Sequence, residues 1–131
     1  MTLKYFSHKE LQCPETSIVH LADGFGEKLD ELREAWGKAI IVNSCCRSAS
    51  YNAKVGGAAN SFHIWNREGG KGVKGTCAVD VHVVHAAERW QLAHLAMSLG
   101  WSVGVAKTFL HLDRRADYAE SGWPETVLFT Y

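Results

Sequence analysis

Three polar residues stand where apolar surroundings or a loop make them conspicuous. They are His63 in a turn-rich segment, and Asp80 and His111 inside the strand-like runs "CAVDVHVV" and "TFLHLD". Two imidazoles and a carboxylate are a frequent donor set for catalytic zinc, which keeps a fourth position for water or substrate. Zinc brings the pKa of bound water to about 7 and so makes it a nucleophile near neutral pH. A charged Asp80 among valines is costly unless it is paired. Taken alone, these residues leave two readings open: a metal site, or an Asp80 held by hydrogen bonds beside a satisfied core His111. His82 shares a face with Asp80 if the strand is regular, which makes it either a neighbour of the site or a rival ligand. His85 and His94 fall in a helical stretch, and His8 and His20 lie near the N-terminus, where nothing else suggests a site.

Placing three such residues together requires a core, and the chain is long enough to have one. Its 131 residues suit a single domain over 1–131. With 47% hydrophobic and 21% charged residues the composition is that of an ordinary globular protein. Fourteen basic and fourteen acidic side chains cancel, which argues against nucleic acid or an anionic membrane as a partner. The opening "MTLKYFSHKELQ" has no apolar run of signal-peptide length, and no stretch approaches a membrane span. The expectation is a monomer made in the cytoplasm. Cys13, Cys45, Cys46 and Cys77 form no CxxC pair and read as free, buried thiols.

The elements follow from pattern. Ser7 and Glu10 form a capping-box pair that predicts a short helix over Ser7–Gln12, ended by Pro14. Leu21, Phe25, Leu29, Leu32 and Trp36 recur at helical spacing, with Gly37 as the stop. "AIIVNSC" reads as a buried strand, and "SASYNAKVGG" as a short helix capped by Ser48 or Ser50. In "CAVDVHVV" Ala78, Asp80 and His82 share one face and the valines the other. "AAERWQLAHLAMSLG" is a helix, and "WSVGVA" and "TFLHLD" are strands joined near Ala106–Lys107. After an irregular tail a last strand runs over about Val127–Tyr131. The fold class expected is α+β, a small single domain with a mostly antiparallel sheet flanked by helices.

The order of these motifs resembles a known family. "SCCRSASYNAKVGGAANSFH" is similar to the "SGYRSxxYNxxVGGxxxSxH" block of the M15 metallopeptidases, which cleave peptidoglycan peptides. "CAVD" and "FLHLD" stand where that family has "GxAxD" and "HxD". The lead-in segments "FSHKELQCP" and "LDELREAWGKAIIVNS" are similar as well. The resemblance implies the Hedgehog/D-Ala-D-Ala-peptidase type of fold and one zinc ion held by His63, Asp80 and His111. It also implies that Arg47 grips a substrate carboxylate through a guanidinium fork. Ser61 would line the substrate site, or serve as a cap or turn residue. Some relatives place a glutamate three residues before the second zinc histidine, where this chain has Thr108. Asp113 then takes part either as the proton acceptor or as the group that orients His111.

Other positions depart from the pattern. Cys45–Cys46 replaces "GY", and Thr76 stands at a glycine. The interval from His63 to Asp80 is seventeen residues rather than the family's seven. The extra residues, in "IWNREGGKGVKGT", read as an exposed loop with Arg67, Lys71 and Lys74 near its tip. The function implied is a zinc peptidase acting on peptidoglycan stem peptides, a D-Ala-D-Ala carboxypeptidase or an endopeptidase. Its size is similar to that of stand-alone phage lysis enzymes, which act on the wall once released. A zinc-stabilised wall-binding module without turnover is the alternative.

Overall fold

The computed structural model describes residues 3–66 and 72–131. Helix α1 (His8–Leu11) carries the reciprocal capping box of Ser7 and Glu10 that its sequence predicts. Helix α2 (Phe25–Trp36) ends where Gly37 takes a left-handed conformation, φ +79°. Strand β1 (Val42–Ser44) leads to helix α3 (Ala49–Lys54), whose Ser48 cap accepts from the Tyr51 amide. Strand β2 (Ala78–His82), helix α4 (Ala86–Ser98) and the hairpin of β3 (Ser102–Val105) and β4 (Phe109–Asp113) follow. Two 3-10 turns, at Arg115–Asp117 and Ala119–Ser121, bring the chain to β5 (Leu128–Thr130).

The five strands form one sheet in the order β1-β2-β4-β3-β5. All pairs are antiparallel except β3 with β5, which run parallel. The fold is α+β, as the element pattern predicts. Strand alternation divides β2, β3 and β4 into two faces. Val79, Val81, Val103, Leu110 and Leu112 join Leu29 and Leu32 of α2 and Leu92 and Ala96 of α4 in one core. Phe25 and Trp101 meet edge to face at 5.7 Å within it, each such ring worth about 1.5–3 kcal/mol when fully removed from water. His111 and Asp113 alternate with Leu110 and Leu112, and that alternation turns polar side chains to the other face.

Two expectations need correction. "AIIVNSC" is not a fully buried strand: only Val42–Ser44 is regular, Ile41 is 60% exposed, and the register with β2 shifts between Val42 and Ser44. The strand lies at the sheet edge and pairs on one side alone, so its residues are not enclosed on all sides. The long segment after His63 is also not a wholly solvated loop. Its ends are stitched together by bonds from the Gly75 amide to the Trp65 carbonyl (3.1 Å) and from the Cys77 amide to the Phe62 carbonyl (3.0 Å). Val73 and Thr76 are buried. Gly75, at φ +100°, has no room for a side chain, since a Cβ would stand 2.5 Å from the Ala22 amide. Lys74 is exposed, whereas Arg67 and Lys71 lie outside the described residues. Among the described residues no helix is long and apolar enough to cross a membrane. The four cysteines are free and buried.

Candidate metal centre

The β2–β4 ladder places Asp80 directly opposite His111. His63 arrives from the loop that follows α3. That loop is fastened to the segment after β1 by bonds from the Arg47 amide to the His63 carbonyl (3.0 Å) and from the Trp65 amide to the Arg47 carbonyl (3.3 Å). The Thr76 hydroxyl also donates to the His63 carbonyl, at 2.7 Å. The result is a buried group in which one ligand atom each from His63, Asp80 and His111 lies within 4.8 Å of the others. The two imidazole rings face each other edge-on, 5.3 Å between centroids.

The hydrogen bonds reveal which ring atoms point inward. His63 Nδ1 is 2.7 Å from the Cys45 carbonyl, which can only accept, so Nδ1 carries the proton and Nε2 presents a lone pair. That Nε2 lies 3.1 Å from Asp80 Oδ1. His111 is turned the other way. Its Nε2 donates to Asp113 Oδ2 at 2.7 Å, and its Nδ1 lies 3.1 Å from the same Asp80 oxygen. In the neutral rings two lone pairs and a carboxylate oxygen converge, an arrangement that is repulsive unless a cation or an extra proton sits among them. This donor set fits a divalent metal, and the back-side partners Cys45 and Asp113 fix both tautomers.

Without a metal, an extra proton on the rings can take the cation's place: burial alone would raise Asp80, but hydrogen bonds from the protonated inner nitrogens of His111 and His63 outweigh it and hold the carboxyl far below its usual range. Burial pushes His63 down despite Asp80. Burial also opposes the charge on His111, yet its bonds to Asp113 and Asp80 raise it. Asp113 is likewise depressed, because His111 and Arg115 overcome its burial. A carboxylate whose folded pKa is depressed contributes stability above its unfolded value, about 3.9, and loses it as pH falls toward the folded value. The metal-free protein is therefore expected to lose stability steeply below about pH 4. Chemical denaturation at stepped pH values checks this, and an Asp80→Asn variant should show a shallower slope.

Arg47 is anchored on three sides. Its Nε donates to Ser44 Oγ (2.9 Å), Nη1 to Asn52 Oδ1 (3.2 Å) and Nη2 to Asp80 Oδ2 (3.1 Å). Asn52 in turn donates to the Ala58 carbonyl at 2.9 Å. Gly57 makes room for this cluster, since a Cβ there would stand 2.2 Å from Asn52 Oδ1. Three of the five guanidinium N–H groups are thus used, which leaves others for a carboxylate ligand. Ser61 Oγ accepts from the His63 amide at 3.2 Å, a turn contact, and Ser61 also lines the cleft.

Asp113 is wholly buried. Besides His111 it holds Arg115, whose Nη2 donates to Oδ2 at 2.7 Å and whose Nε and backbone amide donate to Oδ1 at 3.0 and 2.9 Å. The Arg115 guanidinium is itself stacked against Phe62, Trp123 and Phe129. Asp113 therefore stands behind His111, with its oxygens engaged. Of the two roles weighed for it, this position suits orienting His111 better than accepting a proton. His82 is exposed and lies outside the His63–Asp80–His111 group. It lines a separate, smaller cleft with Trp36 and Ile40.

All three converging side chains open onto a cleft of about 730 Å³. Arg47, Gly57, Ser61, Phe109, Trp123, Phe129 and Tyr131 are among its other lining residues. Sequence reasoning did not single out Asn52, Gly104, Arg115, Phe129 or Tyr131. A signal existed for two of them: glycine inside the strand "WSVGVA" marks a close approach, and a second arginine directly after "HLDR" lies beside a buried carboxylate.

A family model described as peptidase M15 matches residues 4–113. Among curated proteins no match is found.

Proposed function

The chain belongs to the peptidase M15 family, and we propose that it is a zinc peptidase that hydrolyses peptide bonds in the stem peptides of peptidoglycan. One observation carries the reading. His63 Nε2 and His111 Nδ1 turn their lone pairs onto a single oxygen of Asp80, each 3.1 Å away, while their outer nitrogens are committed elsewhere. Zinc, when bound, supplies the Lewis acidity that polarises a carbonyl and activates water near neutral pH.

The protein's own groups do the rest. Cys45 and Asp113 hold the two rings in the ligand tautomers. Arg47, steadied by Ser44, Asn52 and Asp80, offers a fixed fork to a carboxylate of the substrate and so sets which bond lies over the centre. Ser61, beside His63 on the same wall, contacts the substrate backbone. Both removal of a terminal D-alanine and cleavage within the stem suit a cleft with an anchored arginine near the metal ligands.

A second reading is favoured by one feature. Among the described residues that line the cleft, Asp80 is the single carboxylate, and Thr108 occupies the place of the relatives' glutamate. A zinc-stabilised wall-binding module would look the same in these respects. Zinc content measured on the purified protein, together with mass spectrometry of digested peptidoglycan, separates the two. The peptidase reading expects one zinc per chain and released peptide fragments, and the fragment masses identify the bond. One zinc with intact peptidoglycan that nevertheless retains the protein on sedimentation would support the binding module instead.

A further inference from the structure

Strand β5 lies beyond the residues that the family model matches, yet it forms part of the cleft. Ser44, Asp80, His111, Gly104 and Phe129 are successive partners across all five strands. Gly104 makes this row possible, because a Cβ at that position would stand 2.4 Å from the Phe129 ring. The ring occupies that space and comes within 5.6 Å, centroid to centroid, of His111.

Two residues further on, and so on the same strand face, is Tyr131. Its ring packs against Phe129 at 5.8 Å and Phe109 at 5.5 Å, and its amide is bonded to the Val105 carbonyl at 3.3 Å. The sheet and two rings thus hold a phenol at the cleft. The titratable side chains that line this cleft are few. His63, Asp80 and His111 converge on one point, while Arg47 and Arg115 are tied to Asp80 and Asp113. Tyr131 is the remaining one among the described residues, and its hydroxyl has no hydrogen-bond partner among them. Tyr131 as a residue is 71% exposed; the partial burial of its phenol, followed by the negative charge of Asp80, raises the group above its ordinary value against the opposing pull of Arg47. It is a neutral donor throughout the neutral range.

We propose that Tyr131 is a catalytic residue, whose phenolic O–H donates a hydrogen bond to the carbonyl oxygen of the scissile peptide as that oxygen gains negative charge. The assignment rests on the peptidase reading above. In the hydrolysis the oxygen of water bonds to the carbonyl carbon, the C–N bond breaks, and the amine leaves with a proton from that water. The phenol lends its hydrogen bond and keeps its proton. A donor that strengthens its bond only as charge develops acts on turnover rather than on binding.

Tyr131→Phe keeps the ring and both aromatic contacts and removes only the hydroxyl. On peptidoglycan fragments that the wild type cuts, kcat is expected to fall by about 10²-fold, the loss typical of one oxyanion donor. KM should stay within about twofold, since ground-state binding is unaffected, and zinc content should be unchanged. A phosphinate analogue of the cleaved bond mimics the tetrahedral, charged centre. By calorimetry it should bind Tyr131→Phe at least about tenfold more weakly, while the cleavage product binds equally. Unchanged kcat and phosphinate affinity, or a loss confined to KM, overturns the assignment. A wild type that cuts no bond removes the peptidase reading itself, and this assignment with it.

Discussion

Replacing Asp80 by asparagine is expected to leave the protein folded at neutral pH but without stoichiometric zinc, and to lower peptide release by about 10³-fold or more, the scale of several kcal/mol of lost charge stabilisation. The size of the effect follows from the number of contacts that one carboxylate makes. Its Oδ1 is the atom on which both imidazole lone pairs converge, and its Oδ2 holds Arg47 at 3.1 Å. The substitution removes an anionic donor from the candidate metal centre and a charged partner from the Arg47 guanidinium in one step. Zinc content by atomic absorption and product release from peptidoglycan measure the two losses separately. An Asp80→Asn protein that kept one zinc and full turnover would show that the carboxylate serves only as a core hydrogen-bond acceptor.

The second large effect is expected behind the site. Asp113 touches His111 on one side and the Arg115 fork on the other, and none of it reaches solvent. Asp113→Ala leaves the Arg115 guanidinium buried and unpaired, a situation that costs about 3–5 kcal/mol, and thermal unfolding should show it. Asp113→Asn is the more discriminating variant. Its amide fills the same volume but presents only one acceptor, so the His111 tautomer is no longer enforced. Zinc affinity is expected to fall by about 10- to 100-fold, the usual loss when a partner behind a metal-bound histidine is changed. Added zinc should then restore most of the activity. A variant with unaltered zinc affinity that cannot be rescued by zinc would assign Asp113 to proton transfer instead.

Much of the centre is legible in the sequence because its chemistry conflicts with its surroundings. Asp80 and His111 interrupt apolar runs, and a polar group in such a run has to be explained by a partner. The capping box at Ser7, the glycine stop at Gly37 and the alternation in "FLHLD" are local signals, and each appears in the fold where the local rule puts it. Features that depend on distant segments were less readable. Strand β5 has three residues and pairs in parallel with β3, an arrangement that no short-range pattern encodes. A last strand over about Val127–Tyr131 is legible, but its pairing with β3, which brings Phe129 and Tyr131 to the cleft, is not. Arg115 looks like a surface charge in the string "HLDRR" until the chain turns it back onto Asp113 and between aromatic rings. The return arm of the long loop also reads as polar and glycine-rich, yet Val73 is buried and Gly75 is pressed against Ala22. Gly75 serves a close approach of two backbones rather than an open turn.

The central claim concerns three atoms, and anomalous diffraction from crystals grown with zinc tests it most directly. One strong zinc peak is expected within about 2.0–2.2 Å of His63 Nε2, Asp80 Oδ1 and His111 Nδ1, the distances usual for these ligand types. A peak elsewhere in the protein, or none at this position in crystals saturated with zinc, would contradict it.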